Sequence, residues 1–356
     1  MTAPAFWCVV FGATVYNNLP SFVVAGAVST RSGRSLSSTV HRALGAKNDD
    51  DFLQVERLDG VNTIVVDESS MLTIHMLGGI LRAAPDNCRI ILMGDPRQLP
   101  AVGAGNVVED LISLGIPIAS LSQNHRLSTN AVALRCNVME YDRISDITGI
   151  EEDDSFQCRY SEDPDKLMNA LVREAAERYL AYEPVQILTI RRNDALELSR
   201  RMQEIVNPLT SNKHKLKTSK FVFADLDPVM IVKNDYGRGC FNGEQGVIHI
   251  EKDDAYCIEL DDGRCVEWSD LDNREELVPA YAITIHKSQG SEFDTALMYV
   301  PWCCESILHR STFYTGISRA KRQLLLFGNR GAVSSALHTL PPVRNTALVE
   351  KVRMCA

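Results

Sequence analysis

The sequence runs to 356 residues, 45% hydrophobic and 23% charged, with a formal net charge of -9. That length supports two or three domains with cores of their own, and the acidic balance excludes a protein that coats nucleic acid through bulk charge, while leaving room for a local basic groove. Its ten cysteines form no C-x-x-C pair and no His/Cys cluster at metal spacing, which argues against a disulfide framework or a zinc site and for reduced thiols in a cytoplasmic or nuclear compartment.

No charged side chain precedes Arg31, and Phe6 to Val28 is apolar enough to raise the question of a membrane span. Tyr16-Asn17-Asn18-Leu19-Pro20 breaks the run and no basic region precedes it, so it predicts two buried strands, Trp7–Phe11 and Phe22–Val28, and no membrane segment. Ser29 to Gly45 follows, with Ser37, Ser38 or Thr39 placed to cap a short helix carrying Val40, His41 and Leu44. Its small hydroxyls, with Arg31, Arg34, His41 and Arg42, suit a phosphodiester backbone or, equally, a solvated helix entry. The acidic stretch from Lys47 to Gly60 is expected to form a short hairpin.

Two short apolar runs come next, Thr63–Val66 and Ile90–Met93, and each ends at an acidic residue. Runs this short and apolar suit strands buried on both faces of a parallel sheet, which puts the acids at the strands' carboxyl ends, where open α/β sheets bind ligands. Asp67-Glu68 is the pair that nucleotide hydrolysis needs there: one carboxylate to hold Mg²⁺ through water, the other to orient the attacking water. Asp95 to Gln98 is expected beside it on the neighbouring strand.

A Gly-rich turn then leads into a helix over Asn106–Leu114, and Ser120 to Arg126 closes the first domain. Glu140 to Asp165 reads as an acidic surface excursion. Helical spacing marks Leu167–Tyr179, a buried strand Val185–Ile190, and a further helix Asp194–Val206. Lys213, Lys215, Lys217 and Lys220 read as a solvated basic loop. From Pro228 to Leu271 short strands alternate with Gly and Asp turns, at the spacing of a small barrel of four or five strands, with hairpin turns at Phe241-Asn242-Gly243 and Asp261-Asp262-Gly263. Because α/β character returns at Tyr281, the barrel is an insertion in the second α/β domain. Phe313 to Gly328 predicts a helix carrying Ser318, Arg319 and Lys321, then a buried strand, Gln323–Phe327.

Taken together, these segments resemble superfamily 1 helicases of the RecD-like branch. Ser38-Thr39-Val40-His41-Arg42 looks like the family's backbone-gripping motif, Val65-Val66-Asp67-Glu68-Ser69-Ser70-Met71 like its Walker B form, and the stretch from Gly94 to Val107 like its third motif. Gln123-Asn124-His125-Arg126 resembles the fourth, the stretch from Asn234 to Ile248 the start of an SH3-like insert, Tyr281 to Phe293 the fifth motif, and Tyr314 to Lys321 the sixth. The resemblance implies an α/β fold of two RecA-like parallel-sheet domains, over 1–122 (incomplete at its N-terminus) and 123–345, with an SH3-like barrel inserted at 228–275.

It also implies an ATP-dependent, 5′ to 3′ DNA helicase using ATP and Mg²⁺ on single-stranded DNA. Asp67 would hold Mg²⁺, Glu68 polarise water and Gln98 sense the γ-phosphate. Arg126 and Arg319 would stabilise transition-state charge, with Glu292 near the ribose. Thr39 and His41 on one domain, with Thr284, His286, Lys287 and Ser288 on the other, would hold the strand through phosphate contacts that read no sequence.

One departure stands out: the family's G-x-x-x-x-G-K-[ST] phosphate loop is missing, for no Gly precedes a Lys anywhere in the chain, and Trp7–Phe11 is followed by Gly12-Ala13-Thr14-Val15. Such a loop cradles phosphate with backbone N–H groups at a helix N-terminus and a Lys on the β/γ-phosphates. A truncated gene product, a degenerate helicase that binds strand without hydrolysis, or a partner that supplies the loop would each account for the gap.

Overall fold

The computed structural model describes residues 7–11, 22–25, 36–46, 48–120, 132, 135, 136, 139, 151–209, 214–235, 237–250, 256–268, 276–302 and 307–355. The chain divides into two compact units, Met1–Ser128 with Pro341–Ala356, and Thr129–Leu340.

The first unit is a parallel sheet of β1 (Trp7–Phe11), β2 (Phe22–Ala25), β3 (Leu36–Ser38), β4 (Thr63–Val66), β5 (Arg89–Met93) and β6 (Ile118–Ser120), in the order β3-β2-β4-β5-β1-β6. Every residue of β4 is buried, as its apolar run predicts. Helix α1 (Val40–Ala43) is capped by Thr39, whose Oγ1 accepts from the Arg42 N–H at 3.3 Å. Helix α2 (Ile74–Ala83) is capped by Thr73, which accepts from the Met76 N–H at 3.2 Å. Its apolar face packs Leu77 and Ile80 into a core with Phe52, Ile64, Ile90 and Leu92. Helix α3 (Val107–Ser113) lies within the predicted span.

The expected hairpin over 47–60 is instead a 3-10 turn, Asp49–Leu53, because Asn48 and Asp51 cap each other's backbone N–H groups and Phe52 is fully buried. The last residues return to this unit: Leu348 packs against its core, and α8 (Leu348–Cys355) leaves the tail along α3. The second unit therefore stops at Leu340, short of the boundary near residue 345 expected from the sequence.

The second unit holds a parallel sheet of β7 (Phe156–Tyr160), β8 (Val185–Thr189), β16 (Ala282–Thr284), β17 (Phe293–Val300) and β18 (Ala320–Gly328), in the order β16-β8-β17-β18-β7. Helices α4 (Pro164–Leu180) and α5 (Arg192–Leu209) bury Leu171, Val172, Leu198 and Met202 against it. Asp163 caps α4 ahead of Pro164, its carboxylate accepting from the Asp165 and Lys166 N–H groups.

Between α5 and β16 the chain inserts a hairpin, β9 (Lys215–Lys217) with β10 (Val222–Ala224), and an antiparallel sheet. That sheet comprises β11 (Pro228–Ile231), β12 (Gln245–Ile250), β13 (Tyr256–Leu260), β14 (Cys265–Trp268) and β15 (Leu277–Pro279), in the order β14-β13-β12-β11-β15. Inward residues Val229, Ile248, Ile258 and Leu260 alternate with outward polar ones and form a separate core.

Two expectations about this unit are corrected. The acidic excursion over 140–165 contains β7, an edge strand whose alternation of Phe156 with polar residues hides its strand character. Helix α6 (Arg310–Ile317) ends before Ser318, and Arg319 follows it in the turn. Lys321 already lies in β18, because the β17–β18 register begins at Phe293↔Ala320.

Candidate functional site

The parallel register aligns Val66 with Leu92, so β4 and β5 run out side by side at one carboxyl edge, with Asp67 leaving the first and Gly94 the second. Glu68 takes φ 51°, the left-handed conformation, which costs a non-glycine residue about 1 kcal/mol. Its own N–H donates to Asp67 Oδ1 at 2.8 Å, and its carbonyl accepts from the Met71 N–H at 2.9 Å, closing the 3-10 turn Ser69–Met71. Both acidic residues stay half-buried.

Gly94 makes the close packing possible: a Cβ there would lie 2.8 Å from Ser69 Oγ and 3.0 Å from the Ser69 and Ser70 nitrogens. Beyond it, Asp95 Oδ1 accepts from the Arg97 N–H at 3.0 Å and its carbonyl from the Gln98 N–H at 3.1 Å, a turn that carries Gln98 off the strand. Ser69 Oγ, Ser70 Oγ and Gln98 Oε1 are all buried without a hydrogen-bond partner. Buried polar atoms left unbonded are uncommon and mark places built to bond something else. Asp67, Glu68 and this orphaned amide oxygen fit the metal-and-water half of a Mg-nucleotide site. No Gly precedes a Lys in the sequence, so the Gly-Lys step common in phosphate cradles does not occur in it.

Thr39 and His41 sit at the start of α1. Thr39 is exposed, and His41 is half-buried edge-on to Phe52 with ring centroids 4.9 Å apart; burial lowers its pKa, against the pull of Asp49.

In the second unit, β16 ends at Thr284 and opens into a tight turn through Gly290 (φ 80°). Thr284 Oγ1 accepts from the Lys287 N–H at 3.3 Å. Burial lowers the pKa of His286, and burial together with nearby Arg192 lowers that of Lys287, whose Nζ donates to Asn242 Oδ1 at 2.5 Å. Ser288 is fully buried and donates to the Ile285 carbonyl at 2.8 Å, so its hydroxyl braces the turn and does not face a ligand.

Arg319 is buried, and its guanidinium donates to the Thr315 and Ser291 carbonyls and to Ser318 Oγ. It is held against its own unit in this structure. Glu292 lies 3.7 Å from Lys321 Nζ. Arg126 lies outside the described residues.

Sequence reasoning missed Asn242, Arg192 and the close approach of Gly94. The Phe241-Asn242-Gly243 turn was legible as a turn, but nothing in it signals a bond to Lys287.

A parallel sheet with paired acids at its carboxyl edge, and a second parallel sheet following in the chain, fit two RecA-like domains. Residues 12–158 match the family model described as an AAA domain, and 279–327 match the UvrD-like helicase C-terminal domain. The chain is 28% identical over 339 residues to the RecBCD enzyme subunit RecD of Mycolicibacterium smegmatis, covering 89% of this chain and 59% of the relative. It is 28% identical over 350 residues to the ATP-dependent RecD2 DNA helicase of Deinococcus radiodurans, covering 94% and 46% respectively. The fold is similar to that of the Pif1 helicase from Bacteroides in complex with ADP-AlF3 and ssDNA, with a TM-score of 0.55 at 18% identity over 98% of this chain and 93% of the other. These matches make the chain similar to the RecD-like branch of the superfamily 1 helicases. It spans less than two thirds of the length of the curated relatives it matches.

Proposed function

We propose that the chain forms the motor core of an ATP-dependent DNA helicase that moves along single-stranded DNA. The observation that carries this reading is the edge of the first sheet, where Asp67 and Glu68 leave β4 and, on the loop after the paired strand β5, Gln98 holds a buried and unbonded Oε1. Asp67 would hold Mg²⁺ through water, Glu68 would orient the attacking water, and Gln98 would report the γ-phosphate. Bound Mg-ATP supplies the electrophilic phosphorus and the leaving group. Arg319, with Arg126, would stabilise the developing charge, and Glu292 would lie near the ribose; for Arg319 this requires release from the Thr315 and Ser291 carbonyls. Thr39, His41, Thr284, His286 and Lys287 would grip the strand through phosphate, and Ser288 would act only by fixing the Thr284–Gly290 turn. That the D. radiodurans relative is named a DNA helicase supports DNA as the track.

A second reading has an observation of its own. With no Gly-Lys in the chain, the phosphates lose their usual lysine, and the same fold would serve as a non-hydrolysing single-strand-binding module unless a lysine arrives from outside this sequence. An ssDNA-stimulated ATPase assay on the chain, beside Glu68→Gln, separates the two. Hydrolysis that depends on strand and disappears in Glu68→Gln establishes the motor. Salt-sensitive strand binding with no turnover above that control establishes the binding module. Absence of both sinks the proposal.

A further inference from the structure

The loop that carries Gln98 is tied down by a part of the chain that no helicase motif includes. After its turn at Asp95 the loop buries Leu99 and Ala101, exposes Val102, and ends in Gly103-Ala104-Gly105. That final stretch lies on the N-terminus of α2: the Ala104 carbonyl accepts from the Ile74 N–H at 2.9 Å. A Cβ at Gly103 would meet Thr73 Cγ2 at 3.0 Å, and one at Gly105 would meet Ile74 Cβ at 3.1 Å. Both glycines hold positive φ, at 143° and 103°, so the path is one that other residues adopt only under strain.

The other side of this stretch is held by Arg344. Its guanidinium donates to the Gly103 carbonyl at 2.9 Å and the Gly105 carbonyl at 3.0 Å. Two residues on, Thr346 Oγ1 donates to Asp110 Oδ1 at 2.8 Å, and Leu348 packs into the core of the first unit. The chain leaves the second unit at Leu340 and reaches Arg344 through Pro341-Pro342-Val343, a short segment that its prolines stiffen.

We propose that residues 341–348 are a strap that seats the sensor loop, and that Arg344 is a positioning residue for Gln98. The strap presses Gly103-Ala104-Gly105 onto Thr73 and Ile74, at the end of the segment that begins with Asp67 and Glu68. It thereby fixes the loop between two anchors, Asp95 at its start and Arg344 at its finish. The strap follows the last helix of the second unit, α7 (Arg330–His338), in the chain. The role assigned to Gln98 rests on the function proposed above, whereas the seating of the loop does not.

The test uses the full chain and two readouts. Hydrogen exchange at the Ile74 amide, and in peptides spanning 98–105, reports seating directly. Arg344→Ala is expected to exchange there about tenfold faster or more, and Arg344→Lys, which keeps a charged donor, to recover part of the protection. Thr346→Val, which frees the tail at Asp110 alone, is expected to change exchange less. Fluorescein-labelled oligo-dT then gives strand affinity with and without Mg-ATPγS. Arg344→Ala should bind strand as wild type does without nucleotide, and lose most of the change in affinity that nucleotide causes, which a merely destabilised unit would not do selectively. Wild-type exchange at Ile74 and 98–105 in Arg344→Ala overturns the strap. Faster exchange with an unaltered nucleotide response overturns the positioning role and leaves a structural one. If the wild-type chain shows no nucleotide response, the motor reading fails, and the exchange data decide the strap independently.

Discussion

Asp227 joins the inserted sheet to the α/β core of the second unit, and replacing it with Ala should be among the most damaging single changes outside the hydrophobic cores. The residue is 1% exposed. Oδ1 accepts from the Tyr281 hydroxyl at 2.9 Å, and Oδ2 from the Ala224 N–H at 2.9 Å and Gln203 Nε2 at 2.6 Å, with Asn207 adding a further bond. Gln203 also donates to the Val222 carbonyl, so it keeps a partner in the variant. The Ala224 N–H loses its acceptor in a buried setting, at about 1–3 kcal/mol, and the Tyr281 hydroxyl keeps only its bond with Tyr179. Burial raises the Asp227 pKa against the pull of its donors, so removing the carboxylate also relieves a desolvation cost, and the net loss should fall near the low end, about 2–4 kcal/mol. Tyr281→Phe removes one donor and leaves the carboxylate otherwise satisfied, so it should cost only about 1 kcal/mol. Urea unfolding of the full chain, followed by a probe in the second unit, measures both. If Asp227→Ala lies within about 0.5 kcal/mol of wild type, the bonds read from the geometry do not hold the two parts together.

Two further predictions concern the same unit. Burial lowers the pKa of His286, and of His309 together with its proximity to His286, from the ordinary value of 6.5. The folded state therefore favours the neutral rings: their contribution is fully present above 6.5 and is lost as pH falls from there through the lowered folded values. The unfolding midpoint should drop between about pH 7.5 and pH 5.5, with a shallower slope in His309→Gln; equal slopes in the two proteins would remove His309 as a cause. Gly246→Ala would drive a Cβ into the Glu259 carbonyl oxygen in the neighbouring strand. Since backbone on both sides must move, it should cost about 3 kcal/mol or more and raise amide exchange across β12 and β13, while a loss under about 1 kcal/mol would mean that the strands separate more readily than their register suggests.

What the sequence disclosed, and what it withheld, follows from the range of the interactions. Thr63–Val66 was legible to the residue because four buried positions in succession admit no other pattern. Trp7–Phe11, Asp67, Glu68 and the Asp261-Asp262-Gly263 turn were legible for similar local reasons: apolar runs, acids at their ends, and a glycine that takes φ 83°. The 3-10 turn at Asp49–Leu53 was hidden because its cap is reciprocal between Asn48 and Asp51, and its anchor, Phe52, packs against a helix later in the chain. The end of α6 at Ile317 was set by the pairing of β18 with β17, a tertiary fact. The left-handed Glu68 and the stranded amide oxygen of Gln98 depend on two strands lying side by side. Arg344 was least legible of all, since its partners are carbonyls 239 and 241 residues away.

The insertion between α5 and β16 also bears on the order in which the second unit assembles. To complete its parent sheet, β16 must dock beside β8, and the Gln186 side chain that bonds the Tyr281 carbonyl closes a span of 95 residues. A loop of that length is entropically costly to close while it is unstructured. Antiparallel pairing of β11 with β15, at Val229↔Pro279 and Ile231↔Leu277, brings the two ends of the insertion together just before β16 begins. Once the inserted sheet has formed, the effective contour between β8 and β16 shrinks to α5, the β9–β10 hairpin and a few residues. If the inserted sheet forms first, mutations that weaken β11–β15 pairing should express most of their equilibrium cost as slower refolding of the unit, with little change in the unfolding rate.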